Sequence, residues 1–472
     1  MGDDPHLSEA DTFTIQMEAD PLLRSTIVAV ALLDQTPHWG QLLDRVERAT
    51  RLAPNFRRRL EPGRGPLAPP RWVADPDFDL SWHVRRVAAP EPANLDVVLE
   101  LARVMGMGAF DPIRPRWEAL VVEDLADGGA ALILKLHHAL TDGIGGIQLA
   151  HHLVDLERHV PPMGPLPDEP DSAPGGLVDQ SISAARFDLG RIGQVTGDLV
   201  RALPGAAASV ARHPFRVWDD LGQLVLSGLR IAQPITRTLS PVMTERRLSW
   251  RYGALDVPLA ELRAASHEAS GTLNDAFLAA VAGGLAHYHR RHDSTVEELR
   301  VTMPISLRTS DDEPGGNHIG LVRVPVIVGD HDPVSRMMAI DRTCRTWRDE
   351  RALPHSQLIA GALNLLPTAV TSSMLRHVDL LASNVPGFDL DVYLGGARME
   401  RFWVFGPPIG AAANVTLMSY RDQCCIGVNT DTAAVPDTES FLDCLRLGFD
   451  EVLAVADADH VPTTVVSVAA AR

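Results

Sequence analysis

Residues 135–146 read Lys135-Leu136-His137-His138-Ala139-Leu140-Thr141-Asp142-Gly143-Ile144-Gly145-Gly146, and the fold class follows from this stretch. The apolar run from Ala130 to His138 has the length and density of a buried strand, and it ends in two histidines. A tight turn follows, and Ile144 to Leu156 then carries helical spacing of apolar residues. A buried strand that turns straight into a helix belongs to an α/β layer architecture. Side chains alternate along a strand, so His137 and His138 cannot face one cavity. The pair is expected to divide into one site residue and one structural residue. A neutral imidazole at a strand end suits general-base chemistry near neutral pH. Asp142 falls in the turn, where a carboxylate can lock the backbone or pair with a distant arginine. Gly143, Gly145 and Gly146 permit tight turning and close approach of backbone to a ligand. The same residues admit a structural reading, in which the histidines close a strand and Asp142 is a helix N-cap. A metal held by His138 and Asp142 lacks a third ligand, and His151-His152 on the next helix read as solvated, so no metal is expected.

Outward from this stretch the alternation continues. Ser25 to Leu33 reads as a buried strand and Trp39 to Leu52 as a helix. Trp117 to Leu125 reads as a strand joined to Ala130–His138 by the turn Ala126-Asp127-Gly128-Gly129. Pro161 to Gly176 is too rich in Pro, Gly and acid to form a core element and reads as a linker. Residues 178–238 look helical, with breaks at Pro204, Pro214 and Pro234. A second α/β region starts near Arg246. It carries a long helix at Thr272–Arg291 and strands at Leu299–Ile305, Ile319–Val328, Asp379–Ala382, Met399–Val404 and Cys424–Asn429. A closing helix runs from Asp437 to Ala456. The expected division is an N-terminal domain over 1–160, a linker with connecting helices over 161–240, and a C-terminal domain over 241–472.

The chain has 472 residues, 45% hydrophobic and 22% charged, which suits two globular domains with real cores. With 43 Lys+Arg against 61 Asp+Glu, the net charge is −18. Nucleic-acid affinity rests on neutralising phosphates, so this balance argues against nucleic acid. No polybasic run offers an anchor to anionic lipid, and no apolar run is long enough to span a bilayer. The acidic start, MGDDPHLSEAD, does not read as a signal peptide. Cys344, Cys424, Cys425 and Cys444 form no C-x-x-C pair, so neither a disulfide framework nor a zinc site is expected. A soluble, reduced, cytoplasmic protein is expected, with peripheral attachment to the inner membrane or to lipid inclusions left open. The only lysine is Lys135, directly before Leu136 and the two histidines.

His137-His138-Ala139-Leu140-Thr141-Asp142-Gly143 resembles the H-H-x-x-x-D-G signature of the CoA-dependent acyltransferase superfamily. More narrowly, the chain resembles the bacterial wax ester synthase/diacylglycerol acyltransferase family. Asp77-Phe78-Asp79-Leu80-Ser81-Trp82-His83-Val84-Arg85 is similar to its F-D-x-x-x-H-V-R stretch, and Asp111-Pro112-Ile113-Arg114-Pro115-Arg116-Trp117-Glu118 to its D-x-x-R-P-L-W-E stretch. Asn274-Asp275 matches its N-D motif, and Pro304-Ile305-Ser306-Leu307-Arg308 resembles P-V-S-L-R. Gly316-Asn317 and Ser383-Asn384-Val385-Pro386-Gly387 resemble the G-N and T-N-V-P-G elements that follow.

The resemblance implies two chloramphenicol-acetyltransferase-like domains meeting along an active-site tunnel. It implies an O-acyltransferase that moves a long-chain acyl group from acyl-CoA to diacylglycerol or a fatty alcohol, giving triacylglycerol or wax ester. His138 would be the general base, with His137 and Asp142 in support, and Asp142 would pair with Arg308. Gly143, Asn274, Asp275 and Asn384 would shape the site. Pro115, Trp117, Gly145 and Gly146 would contact substrate. Acyl-CoA would be a co-substrate, with no other cofactor. Its phosphates require local basic groups, for which Arg57-Arg58-Arg59, Arg85-Arg86, Arg246-Arg247 and Arg290-Arg291 are candidates.

The sequence also departs from the family pattern. Arg116 stands where the pattern has Leu, Ser383 where it has Thr, and Asp20-Pro21-Leu22-Leu23-Arg24 where a P-M-H-x-G-like run is usual. Three other readings remain open at this point. One is a condensation-type domain taking its acyl group from a carrier protein. Another is a glycerolipid acyltransferase, because His137 and Asp142 also fit H-x-x-x-x-D. The third is a catalytically weak lipid-binding member of the fold.

Overall fold

The structure is a computed structural model that describes residues 6–63, 69–140, 143–159, 163–169, 237–306, 319–329, 331–348, 364, 368–373, 375–457 and 460–468. Asp142, Arg308, Gly316-Asn317 and nearly all of the expected helical stretch 178–238 lie outside the described residues.

The N-terminal part opens with a helix, α1 (Glu9–Met17), which ends directly before Glu18. Strand β1 (Thr26–Leu33) is followed by α2 (Trp39–Leu52). On α2, Leu42, Val46, Ala49 and Thr50 are buried at i, i+4, i+7 and i+8, one stripe that lies over the sheet. Strands β2 (Arg58–Glu61) and β3 (Arg71–Ala74) pair as a separate ribbon. A single turn, α3 (Leu80–His83), leads into β4 (Val84–Ala88). Helix α4 (Leu95–Met107) precedes β5 (Trp117–Glu123) and β6 (Ala130–His137), and α5 (Gly143–Leu153) follows. Strand β6 stops at His137. His138 instead opens a 3-10 turn, one residue earlier than the sequence predicts.

In the C-terminal part, β7 (Trp250–Pro258), α6 (Leu259–Glu268) and α7 (Leu273–Arg291) lead to β8 (Glu298–Ser306) and β9 (Ile319–Ile327). Helices α8 (Pro333–Arg348) and α9 (Thr368–Ser373) precede β10 (Leu380–Val385), β11 (Tyr393–Leu394) and β12 (Ala397–Phe405). Strands β13 (Ala413–Tyr420) and β14 (Gln423–Asp431), helix α10 (Thr438–Leu453) and strand β15 (Thr464–Val468) complete it. Helix α7 is buried almost all round because it packs against α6, α8 and α10. It meets α10 closely: a Cβ on Gly448 would sit 2.2 Å from the Ala280 carbonyl oxygen, so only glycine fits there.

Two sheets result. The second has seven strands in the order β15-β7-β14-β13-β10-β8-β9. The first has six, in the order β11-β12-β1-β6-β5-β4, and two of its members come from far along the chain. Strand β12 pairs antiparallel with β1, Val28 opposite Phe405, so residues 393–405 complete the N-terminal sheet. Where β12 passes β14 the backbones nearly touch: a Cβ on Gly427 would lie 2.1 Å from the Val404 carbonyl oxygen. Buried Asn414 and Asn429 donate to the carbonyls of Pro407 and Gly406 and fix the chain as it leaves β12. Tyr252 of the second sheet stacks on Phe405 of the first, with centroids 4.3 Å apart and planes at 6°, worth about 0.5–1.5 kcal/mol beyond burial. Helix α4 wedges between the sheets, touching β1 and β6 on one side and β7 and β15 on the other.

The start of the expected linker is strapped down. Arg48 of α2 donates to the carbonyls of Gly164 and Pro165, and Arg51 to that of Pro167. Proline lacks an N–H but keeps a carbonyl acceptor, so arginine is a fitting clamp for such a segment.

Candidate active site

The two histidines part because the strand ends between them, His137 closing β6 and His138 opening the turn. His137 is fully buried, whereas His138 is half-buried at the head of the turn. His137 Nδ1 accepts the Ala139 backbone N–H at 3.0 Å, and its Nε2 lies 3.0 Å from Glu18 Oε1. A ring nitrogen that accepts carries no proton, so the proton of the neutral ring is on Nε2 and faces the carboxylate. The His138 N–H donates to the Ser25 carbonyl at 2.9 Å, pinning the turn to the start of β1.

Glu18 belongs to none of the motifs, yet it organises this corner. Its Oε1 also accepts the Ser25 N–H at 2.8 Å, and its Oε2 accepts from Arg116 at 3.2 Å. Burial alone would raise its pKa. His137, the Ser25 N–H and the Arg116 guanidinium outweigh that and hold the carboxyl at about 2. A folded-state value below the ordinary 4.5 stabilises the fold above about pH 4.5, and the contribution disappears as pH falls toward 2. The shift corresponds to about 3 kcal/mol. Melting temperature should therefore drop through that window in the wild type and markedly less in Glu18→Gln. Parallel acid profiles for the two proteins would refute this assignment. The sequence signal for Glu18 is an acid at the end of an N-terminal helix, visible only once that helix is recognised.

The motif stretches on either side of this corner are knitted to each other. His83 is sandwiched between Phe78 and Trp117, with centroids at 5.2 and 4.5 Å, and its Nδ1–H donates to the Trp117 carbonyl at 2.7 Å. Burial lowers the pKa of His83. Arg114 reaches Asp75 and the Asp77 carbonyl, and Arg85 pairs with Glu118. The indole N–H of Trp117 donates to Phe56, and Pro115 is buried beside it. Trp117 also lines an apolar cavity of about 40 Å³ between α2, α5 and the sheet, with Leu42, Val46, Leu132, Leu134 and Leu153. Lys135 is buried and paired with Glu118 at 3.0 Å, its ammonium 4.2 Å from the centre of the Phe110 ring. Burial lowers its pKa. It is a core ion-pair member on the strand, and its head does not reach out toward a soluble anion.

Gly143, Gly145 and Gly146 fall in the first turn of α5, where N–H groups without helical partners carry partial positive charge. Asn274 is half-buried at the second position of α7. Asp275 closes a capping box, accepting the Thr272 N–H at 2.8 Å and the Thr272 hydroxyl at 2.7 Å. Its carboxylate is thus engaged in starting the helix. Asn384 lies in β10, opposite Leu417 of β13. Ser383 to Val385 therefore form the end of the strand.

The arginine doublets expected to meet phosphates are largely engaged inside the chain. Arg57 pairs with Glu47, Arg59 with Glu61, Arg86 with Glu123 and Arg291 with Asp443. Arg246 is spent on the carbonyls of Gly410, Met243, Glu245 and Val378. No group of three His, Cys, Asp or Glu suited to a metal occurs among the described residues. Among those residues, no helix is long and apolar enough to cross a membrane. Ser240 Oγ lies 2.8 Å from His289 Nε2, but both are buried and the oxygen also accepts the Met243 N–H. That pair is a brace with no access for substrate.

Comparison with known proteins agrees with this arrangement. Residues 7–277 match the wax ester synthase/diacylglycerol acyltransferase catalytic domain, and residues 315–452 match the WS/DGAT C-terminal domain. A Mycobacterium tuberculosis H37Rv protein provisionally named a diacylglycerol O-acyltransferase is 38% identical over 467 residues, 96% of this chain and 94% of that protein. The wax ester synthase/diacylglycerol acyltransferase from Marinobacter aquaeolei VT8 has a similar fold, with TM-score 0.62 and 22% identity, covering 96% of this chain and 99% of that one. The starter condensation domain of rhizomide synthetase, solved with C8-CoA and Leu-SNAC, also shares the fold, with TM-score 0.60 and 12% identity over 97% and 95% of the two chains. The condensation-type relationship is one of fold, whereas sequence identity and both family matches point one way. The chain belongs to the wax ester synthase/diacylglycerol acyltransferase family.

Proposed function

We propose that this protein transfers a long-chain acyl group from acyl-CoA to the hydroxyl of diacylglycerol or a fatty alcohol, with His138 as general base. His138 takes the proton from the acceptor hydroxyl as that oxygen attacks the thioester carbonyl. The tetrahedral oxyanion then collapses, the C–S bond breaks, and the CoA thiolate leaves and recovers the proton from the imidazolium. No covalent acyl-enzyme is needed. The observation that carries the reading is the contrast between the two rings: His137 is fully buried, with Nδ1 taken by the Ala139 N–H and Nε2 3.0 Å from Glu18, while His138 heads the turn only half-buried. That contrast speaks against a base at His137, as the H-x-x-x-x-D reading would require. The apolar lining beside Trp117 has the chemistry of an alkyl-chain contact. The acceptors are lipids, so the protein would meet them at a lipid surface from the aqueous side.

The test is purified protein with palmitoyl-CoA and either hexadecanol or a diacylglycerol, following CoA release and lipid product together. Acceptor-dependent CoA release with ester formation is expected. No release with any long-chain alcohol or diglyceride would sink the proposal. Transfer from an acyl carrier protein without transfer from CoA would replace it with the condensation-type reading.

A further inference from the structure

We propose that Glu18 and Arg116 are positioning residues for the acyl-transfer step: Glu18 ties down the turn that carries His138, and Arg116 offsets the Glu18 charge so that His137 Nδ1 keeps the lone pair that holds Ala139. The proposal rests on His138 being the base, as argued above. The backbone on both sides of the His138 side chain traces back to Glu18. Its own N–H is held by the carbonyl of Ser25, whose N–H is held by Glu18. The next N–H, that of Ala139, is held by Nδ1 of His137, whose other nitrogen faces Glu18.

The Ala139 bond exists only while Nδ1 keeps its lone pair. A second proton on the ring would set an N–H against the Ala139 N–H and open the turn. A buried carboxylate 3.0 Å from an imidazole favours that second proton. Arg116 opposes it. Its guanidinium takes the other carboxylate oxygen at 3.2 Å, with both side chains mostly buried, so Glu18 is already neutralised. His137, the Ser25 N–H and this pairing together hold the Glu18 carboxyl low.

Among the described residues, the other charged groups on the adjoining elements have partners of their own. Lys135 and Glu118 pair on the adjoining strands, and Asp20 pairs with Arg376. Arg24 donates to the Met107 carbonyl at the end of α4, and Asp11 of α1 accepts from Ser8. The Phe110 edge closes the remaining side, 5.9 Å from the imidazole centre.

The experiment compares kcat and KM across pH for wild type, Arg116→Leu, Arg116→Lys and Glu18→Gln, with palmitoyl-CoA and the better acceptor. Arg116→Leu should move the acidic limb of kcat upward by about one pH unit. KM for palmitoyl-CoA should stay within about twofold, because a positioning residue does not touch substrate. Arg116→Lys should restore the wild-type limb. Glu18→Gln should lower kcat by about 10²-fold at every pH, the scale of a misplaced catalytic group.

Nitrogen NMR of ¹⁵N-histidine-labelled protein supplies a readout independent of turnover, with the His137 signal identified by its loss in His137→Gln. Wild type should show an unprotonated Nδ1, and Arg116→Leu should gain a proton there at higher pH than wild type. A kcat profile of Arg116→Leu that superimposes on an active wild type overturns the proposal, as does a wild-type His137 protonated at Nδ1. A wild type that releases no CoA overturns the acyl-transfer reading instead, and the NMR arm still decides the state of His137.

Discussion

Replacing His138 by alanine should lower acceptor-dependent CoA release by about 10²–10⁴-fold, the usual contribution of a general base, with the melting temperature close to that of wild type. The bond that pins this residue to Ser25 comes from its backbone N–H and survives the substitution. His137→Ala should behave in the opposite sense. It removes a fully buried ring, strands the Ala139 N–H and takes a partner from buried Glu18, at a cost of about 2–4 kcal/mol in stability. Activity would fall with the fold. Measuring CoA release and thermal unfolding side by side separates the two histidines. A His138→Ala protein that still turns over at the wild-type rate would remove it as the base. Lost activity in His137→Ala with stability intact would shift the base to His137.

The second large effect is expected at Gly427→Ala. The added methyl would meet the Val404 carbonyl oxygen at 2.1 Å and its carbon at 2.8 Å, both of them backbone. Strand β14 cannot shift to make room, because β13 and β7 hold it from both sides. A cost of about 3 kcal/mol or more is expected, together with loosening of β12 from the first sheet. Gly40→Ala is the matched control. Nothing lies within 4 Å of its would-be Cβ, and it sits in α2, where alanine is favoured by about 0.5–1 kcal/mol. The check is the melting temperature of both variants. A Gly427→Ala protein as stable as wild type would mean that the crossing is looser than the structure describes.

Much of this protein is legible in the order of its residues. Periodicity locates β1, α2, β6 and α7 to within a residue or two, because each runs long enough for the buried face to repeat. Alternation predicts that His137 and His138 face different ways, and they do, although the strand ends at His137 and the turn supplies the difference. Motif spacing carries the family, because chemistry constrains residue types at a turn more tightly than packing does. Helices α1 and α8 give no comparable signal, their apolar stripes being short or interrupted by charge.

What the chain does not disclose is its long-range partners. Met399–Val404 reads as a strand, but strand character says nothing about which sheet it joins. Only its register with β1 places it in the N-terminal layer. The lone lysine reads as a feature of the site until Glu118 is placed opposite it. The arginine doublets read as phosphate ligands until their acids come within reach. Glu18 is silent for the same reason: its meaning depends on Arg116 and His137, about a hundred residues away. Local pattern and residue chemistry determined the elements, the family and the histidine turn, since both are written in neighbouring residues. Charge pairing, the strand that crosses between sheets and the surroundings of His137 were decided by tertiary structure, because an electrostatic environment is made by groups that are neighbours only in the folded chain.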